Sequence, residues 1–257
     1  MNESSLAAVV GGLFGAVIGS FLNVCIVRLP AEQSVVSPPS RCPQCGKPVE
    51  WRDNVPMLSW LLLGGKCRGC GKPISILYPL VELATALLWA GMAWYYGLSL
   101  EALTGALFGT LLIGIALTDA REYIIPNEFT YGGLAIGLVL SAAGGLDPVL
   151  SALIGAVVGF GILWLVGIAG RWAFKEEAMG GGDIKMMAMV GAFVGWQGVL
   201  LTIFLGALAG TAIFLPLTLL GRKKLVPFGV FLAIGAAVTY VIGPSIIEWY
   251  RRYLGVA

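Results

Sequence analysis

Long apolar segments alternate with short polar ones along this chain of 257 residues. A helix needs about 20 apolar residues to cross the hydrocarbon core of a bilayer. The pattern predicts eight such spans, of which the sixth is short and bounded by glycine. They cover approximately residues 6–29, 77–97, 101–119, 128–145, 149–170, 184–197, 199–220 and 227–248. We therefore expect an all-α integral membrane protein with about eight transmembrane helices.

The polar stretch between the first two spans divides the chain into three parts. Residues 1–29 form the predicted first helix, which we expect to be retained, because no basic segment precedes it as in a cleaved signal. Residues 30–76 are rich in proline, cysteine, arginine and lysine, and we expect a soluble insert there. Residues 77–257 hold the remaining spans.

Composition agrees with this division and narrows the possible chemistry. Charged residues make up 12% of the chain, against roughly 25% in soluble domains, and 37 glycines suit closely packed membrane helices. The net charge of +2 gives no reason to expect nucleic acid as a partner. The chain has no histidine, which excludes Ser-His-Asp triads and histidine-based zinc proteases. Acid–base chemistry must come from Asp, Glu, Lys, Tyr or Cys.

Basic residues predict which side of the membrane each loop faces. The insert holds six basic residues against three acidic ones, and a second basic cluster spans Arg222, Lys223 and Lys224. Excess lysine and arginine mark the cytoplasmic side. We expect the insert and loops 120–127, 171–183 and 221–226 to be cytoplasmic, with both termini outside.

Four of the five cysteines form two Cys-x-x-Cys pairs within the insert. These are Cys42 with Cys45, and Cys67 with Cys70, each followed by Gly-Lys. Two such turns predict a tetrahedral, structural zinc site of zinc-ribbon type. The alternatives are two disulfides or a redox pair, but disulfides do not persist in a reducing cytosol. Cys25, in an apolar run, is predicted to be a small buried side chain.

Two aspartates at the ends of predicted spans are candidates for catalysis. Asp119 ends one apolar run, and Asp183 follows Gly180, Gly181 and Gly182. In the predicted topology both lie at cytoplasmic helix ends, so they can meet at a similar depth. Two close carboxylates share a proton, so that one acts on water while the other donates to a scissile carbonyl. The three glycines would leave backbone free to pair with an extended substrate.

Non-catalytic roles for both aspartates remain open when only their spacing is considered. Asp119 could pair with Arg121 at a helix end. Asp183 could cap the next helix or pair with Lys185. Among other polar residues, Asn127 is predicted to start a helix and Asn23 to form an interhelical hydrogen bond.

Together these motifs resemble bacterial type IV prepilin peptidases over nearly the whole chain. The matching stretches begin at Gly19-Ser-Phe-Leu-Asn-Val and run through both cysteine pairs with Asn54-Val-Pro-Met-Leu-Ser-Trp between them. They continue with Tyr78-Pro-Leu-Val-Glu, Ile125-Pro-Asn, Gly180-Gly-Gly-Asp-Ile-Lys and Pro227-Phe-Gly-Val-Phe-Leu-Ala. Two departures stand out: the order of glycine and methionine before Asp183 differs from Gly-Met-Gly-Asp, and Val230 stands where proline is common.

The resemblance implies a bifunctional enzyme of the bacterial inner membrane that serves type IV pili or type II secretion. It would cleave the short basic leader of prepilins or pseudopilins after a glycine, at the cytoplasmic face. It would then methylate the new N-terminus with S-adenosylmethionine. Carried over, Asp119 and Asp183 are the catalytic pair of a peptidase core at 77–257. Cys42, Cys45, Cys67 and Cys70 hold zinc in a loop at 30–76 that is implicated in methyl transfer.

The methyl-donor site has no comparable motif. The chain lacks a Gly-x-Gly-x-x-Gly nucleotide loop. Glu82, Tyr78 and Arg68 are our candidates for contacts with the donor or the amine, since a carboxylate near the amine would help to position and deprotonate it.

Other classes of protein remain as competing hypotheses. A presenilin-like intramembrane aspartic protease would share the Gly-x-Gly-Asp chemistry without needing the cysteine loop or methyl transfer. A non-enzymatic zinc-knuckle scaffold of a secretion system would tolerate replacement of either aspartate. A transporter would use the aspartates to carry protons and would cleave nothing.

Overall fold

The computed structural model describes residues 2–175, 179–220 and 226–255. Apart from two isolated β-bridges, the regular structure in these ranges is helical. The predicted basic cluster at Arg222, Lys223 and Lys224 lies outside them. The helices are α1 (Glu3–Arg28), α2 (Leu58–Leu62), α3 (Leu77–Tyr96), α4 (Leu100–Glu122), α5 (Asn127–Ala143), α6 (Leu146–Phe174), α7 (Gly181–Leu219) and α8 (Phe228–Tyr253), with a 3₁₀ turn at Trp51–Asp53.

The prediction of an all-α integral membrane protein is confirmed, and each of the eight predicted spans corresponds to a described helix or to one arm of α7. Six described helices are long and apolar enough to cross a bilayer, namely α1, α3, α4, α6, α7 and α8. The fourth predicted span is α5, which has only 17 residues. The sixth and seventh predicted spans are the two arms of α7, and the chain reverses direction between them. A Cβ added at Gly159 of α6 would collide with the carbonyl oxygen of Met187 and lie 3.4 Å from Cγ2 of Val199, so residues of both arms lie side by side. Gly195 breaks α7 with φ 67° and ψ 177°, a conformation that glycine adopts without strain.

The chain forms two compact units, Met1–Thr110 and Leu111–Ala257. In the first unit, α1 packs along α3 through glycines one turn apart. A Cβ added at Gly15 would lie 2.7 Å from the carbonyl oxygen of Thr85, and one at Gly19 would lie 2.8 Å from Cα of Glu82. Small residues at this spacing let membrane helices approach closely. The predicted interhelical bond is present, because Asn23 Nδ2 donates to the carbonyl oxygen of Tyr78 at 3.0 Å.

In the second unit, α7 packs against α5, α6 and α8. Its contact with α6 is between backbones: a Cβ added at Gly191 would collide with the carbonyl of Gly155, and one at Gly159 with that of Met187. Farther along α7, Gly206 lies against Leu232 of α8. The start of α7, which carries Asp183, is therefore held by its fit to α6.

Gly191→Ala tests this backbone contact. The new methyl group must push α6 and α7 apart, and overpacking of this kind costs about 1–3 kcal/mol. We expect a lower midpoint of thermal unfolding in detergent. Gly161→Ala in α6 is the matched control, since nothing lies within 4 Å of its added Cβ and alanine favours helix. Equal midpoints for the two variants would contradict the proposed role of the contact.

Candidate active site and metal centre

Asp119 lies in the last turn of α4, and its carboxylate faces the start of α8. The residue is only 6% exposed. Its Oδ2 accepts a hydrogen bond from the backbone N–H of Val230 at 3.0 Å. A Cβ at Gly229 would lie 2.9 Å from the same oxygen, so glycine leaves the room that the carboxylate fills. The N-terminus of a helix favours a negative charge, and α8 presents its N-terminus here.

Asp183 lies in the first turn of α7. Gly180 is the N-cap of that helix, so the interpretation of Asp183 as the cap is wrong. Oδ2 of Asp183 faces Gly180, whereas Oδ1 is buried and has no hydrogen-bond partner among the described residues. A buried acceptor without a partner is costly, and in a native structure it calls for a missing proton donor, water or ligand.

The two aspartates lie close enough to interact electrostatically. Ile125 packs beside both: it contacts the positions where a Cβ would stand on Gly182, at 3.0 Å, and on Gly229, at 2.7 Å. The segment from 123 to 126 thus joins the starts of α7 and α8 around the two carboxylates. This arrangement is suited to a proton-sharing pair.

The two basic residues considered as partners of these aspartates, Arg121 and Lys185, do not form ion pairs with them among the described residues. Lys185 Nζ donates to Asn127 Oδ1 at 2.9 Å and lies 5.5 Å from the centre of the Tyr131 ring. No ion pair joins Asp119 to Arg121 in the part of the chain that the structure describes. Asn127 starts α5, as predicted.

The three glycines before Asp183 differ from one another in their surroundings. Gly180 has an extended backbone with ψ 137°, and Gly181 and Gly182 are the first two residues of α7. Gly182 packs on Ile125, whereas nothing lies within 4 Å of an added Cβ on Gly181. The accessible backbone is therefore concentrated at Gly180 and Gly181.

The four cysteines of the insert converge on one point. Their sulfur atoms all lie within 4.8 Å of one another, and Sγ of Cys42 is 3.9 Å from Sγ of Cys70. A tetrahedral ion with Zn–S bonds of about 2.3 Å places its sulfurs about 3.8 Å apart, whereas a disulfide bond is about 2.05 Å long. The alternative of two disulfides is wrong, and the cluster has the geometry of a metal site.

Both cysteine turns have the same backbone. Gly46 and Gly71 have φ of 71° and 70°, and their N–H groups donate to the carbonyls of Cys42 and Cys67. Hydrogen bonds from the backbone N–H groups of Cys45 and Gln44 lower the pKa of the Cys42 thiol to about 6. The pKa of the Cys70 thiol in the same cluster is raised to about 11, chiefly by burial, so Cys42 gives up its proton more readily than Cys70. The thiolate is the form of cysteine that binds metal.

The three candidates for donor contacts have different environments. Glu82 is 8% exposed, and its Oε2 accepts a hydrogen bond from the backbone N–H of Met57 at 2.7 Å. Arg68 donates two hydrogen bonds from Nε and one from Nη2 to the carboxylate of Asp53, whose pKa this contact lowers. Only Tyr78 has a largely unengaged, exposed side chain.

Sequence reasoning missed the backbone groups of the site. The N–H of Val230 on Asp119 and that of Met57 on Glu82 carry no signal in side-chain chemistry. The only hint was Pro227, because proline is common where a helix starts, and the first N–H groups of a helix are free to bind a carboxylate.

Two family profiles match the chain. The profile described as Bacterial Peptidase A24 N-terminal domain covers residues 13–96, and that of the Type IV leader peptidase family covers residues 106–215. The first range includes the four cysteines, and the second includes both aspartates. No solved structure gave a significant match.

Several relatives bear the name prepilin leader peptidase/N-methyltransferase. The protein from Aeromonas hydrophila is 37% identical over 93% of this chain and 91% of its own length. The one from Pseudomonas aeruginosa is 36% identical over 95% and 93%. The one from Myxococcus xanthus is 40% identical over 83% of this chain, which spans 66% of that relative.

Proposed function

The chain belongs to the type IV leader peptidase family, and we propose that it cleaves prepilins or pseudopilins and then methylates their new N-terminus. The observation that carries the peptidase half is the pair formed by Asp119 and Asp183. Both are at helix ends, Asp119 and the Oδ1 atom of Asp183 are buried, and Asp183 lies within reach of the charge of Asp119. A histidine-free chain has few other ways to hydrolyse a peptide bond.

The hydrogen bonds suggest which aspartate plays which part. Asp119 is supplied with a backbone N–H at the start of α8, which suits a carboxylate anion. Asp183 Oδ1 has no hydrogen-bond partner among the described residues, which suits a carboxyl group that holds the shared proton. Asp119 would take a proton from water, the hydroxide would attack the scissile carbonyl carbon, and Asp183 would give its proton to the carbonyl oxygen. Collapse of that intermediate breaks the C–N bond and returns a proton to the departing amine.

The surroundings of the pair fit an extended, basic leader. The open backbone at Gly180 and Gly181 offers main-chain groups to a substrate strand, with Gly182 completing the turn into α7. Glu122 and Glu128 are exposed on the helix ends that flank the segment beside Asp119. Their charges would attract the lysines and arginines of a short leader.

The insert supplies the second activity in this proposal. The four cysteines would hold one structural Zn²⁺, with no open coordination position for catalysis. S-adenosylmethionine, when bound, supplies the methyl group. Tyr78, Glu82 and Arg68 remain our candidates for contacts with the donor or the amine, and the exposed Tyr78 is the one available for direct contact.

We place the insert and the aspartates on the cytoplasmic side of the inner membrane and both termini outside. The excess of basic residues in the insert supports this orientation. The profile over the insert and the names of the relatives disfavour a presenilin-like protease without methyl transfer. They equally disfavour a non-enzymatic scaffold.

Asp119→Asn and Asp183→Asn test the peptidase mechanism. Purified protein is incubated with a prepilin, with and without S-adenosylmethionine, and the products are read by mass spectrometry. We expect the wild type to cleave the prepilin and to add one methyl group only when the donor is present. We expect neither variant to cleave it. Asp147→Asn, an exposed aspartate at the start of α6, is the control that stays active. Cleavage of the prepilin by either Asp119→Asn or Asp183→Asn would overturn the aspartic mechanism.

Gly229→Ala tests the fit of Asp119 to the start of α8. The added Cβ would lie 2.9 Å from Oδ2 of Asp119 and 2.7 Å from Cδ1 of Ile125, so the carboxylate must move. A small misplacement of a catalytic group lowers the rate strongly, and we expect kcat to fall by roughly tenfold or more with little change in KM. Gly132→Ala in α5 is the matched control, because an added Cβ there has no neighbour within 4 Å among the described residues. Equal kcat values for the two variants would show that this fit contributes nothing.

Cys67→Ser tests the metal site. We expect about one zinc per chain in the wild type, by elemental mass spectrometry after removal of free metal, and a loss of most of it in the variant. Methylation should be lost with the metal, and cleavage should suffer less because the aspartates lie in the other unit. Cys25→Ser, in α1, should keep its zinc. Full zinc in Cys67→Ser would refute a four-sulfur site.

A further inference from the structure

One turn of helix in the insert exposes an apolar face that nothing in the described chain covers. Leu58, Leu61 and Leu62 of α2 are 58%, 65% and 86% exposed. Their spacing of three and four residues puts them on one side of the helix. Ser59, on the opposite side, is buried. A contiguous apolar patch of this kind on a soluble loop marks an interaction site.

Trp51 extends this apolar face. It is 84% exposed, and it lies beside α2 because Ser59 links the two segments. The Ser59 hydroxyl donates to the carbonyl oxygen of Arg52 at 2.9 Å and accepts from the N–H of Val55 at 3.0 Å. Tryptophan is the side chain most typical of the boundary between hydrocarbon and headgroups.

A hydrogen bond fixes the depth of this face relative to the membrane helices. The N–H of Met57, the residue before α2, donates to Oε2 of Glu82. Glu82 lies five residues into α3, about 8 Å from its start, and packs against Gly19 of α1. Gly19 is nine residues, or about 14 Å, before the end of α1 at Arg28. The start of α2 is therefore tied to a level inside the helix ends.

The exposed side of α3 is apolar, like the exposed side of α2. Leu80, Leu83 and Leu87 are exposed along α3 at helical spacing, away from the buried side that faces α1. Glu82, which binds Met57, lies between the exposed Leu80 and Leu83 in the sequence of α3. If the apolar face of α2 is continuous with the exposed side of α3, it contacts lipid rather than water.

The charges of the insert favour the same partner. Residues 30–76 carry six basic and three acidic side chains, a net charge of +3. Arg52 and Arg68 are paired with Glu50 and Asp53. The other basic side chains, among them Lys66 just after α2, have no acidic partner among the described residues. Such residues beside an apolar face attract anionic lipid headgroups.

We propose that α2 and Trp51 are embedded in the bilayer surface, so that the insert is a membrane-seated module rather than a soluble loop. The leucines face the acyl chains, Trp51 lies at the headgroup level, and Lys66 lies among the phosphates. This inference rests on the contacts of the first unit and is independent of either proposed activity.

Depth-dependent fluorescence quenching tests the proposal. The full-length protein carries a fluorescent amino acid at position 62, by amber suppression, and is reconstituted in vesicles that contain phosphatidylglycerol. We expect quenching by lipids with a nitroxide on the acyl chain to be severalfold stronger than quenching by aqueous iodide. The same probe at Gln44, in the first cysteine turn, should show the reverse order. Zinc content checks that both labelled proteins are folded.

Three outcomes would overturn the proposal. Iodide quenching at position 62 equal to that at position 44 would mean that the face is in water. Protection from both quenchers that disappears when the protein is diluted in lipid would mean that a second copy covers it. Protection from both that appears only on addition of a prepilin would assign the face to the substrate.

Discussion

Close approach of helix backbones is the constraint on which the rest of this structure depends. Lipid gives helices no hydrophobic reason to associate, so contact between them relies on packing. Gly191 against Gly155, and Gly15 against Thr85, bring backbones together where any side chain would separate them. These contacts set the positions of the helix ends, and the polar chemistry of the protein is at those ends.

Backbone groups also stabilise the buried carboxylates. A charge at membrane depth is costly unless something compensates for it. Asp119 is compensated by the main chain at the start of α8 and Glu82 by the main chain of Met57. Neither hydrogen bond comes from a cationic side chain, and no salt bridge joins Asp119 or Glu82 in the described ranges of the chain. Asp183, with an unused oxygen, is the exception, and an unused oxygen is what a substrate can use.

Much of this could be predicted from the sequence, because the signals are local. Apolar runs predicted the helices, two Cys-x-x-Cys turns predicted the sulfur cluster, and Asn23 in an apolar run predicted an interhelical bond. The boundary that the apolar pattern predicted between the sixth and seventh spans falls at Gly195, where the backbone leaves helical geometry. The roles of Val230 and Met57 depend on backbone groups brought together from distant positions, and no residue type announces them. The contributions of Tyr78, Glu82 and Arg68 to methyl transfer remain predictions.

The reversal of the chain at Gly195 has a mechanical consequence. The first arm of α7, which carries Asp183, is locked to α6 through Gly191, and the second arm is packed on α8 through Gly206. A shift of Asp183 along the membrane normal would have to carry α6 and the second arm with it, and the second arm would carry α8. The depth of this carboxylate is therefore set by several helices together, which insulates it from the movement of any one of them.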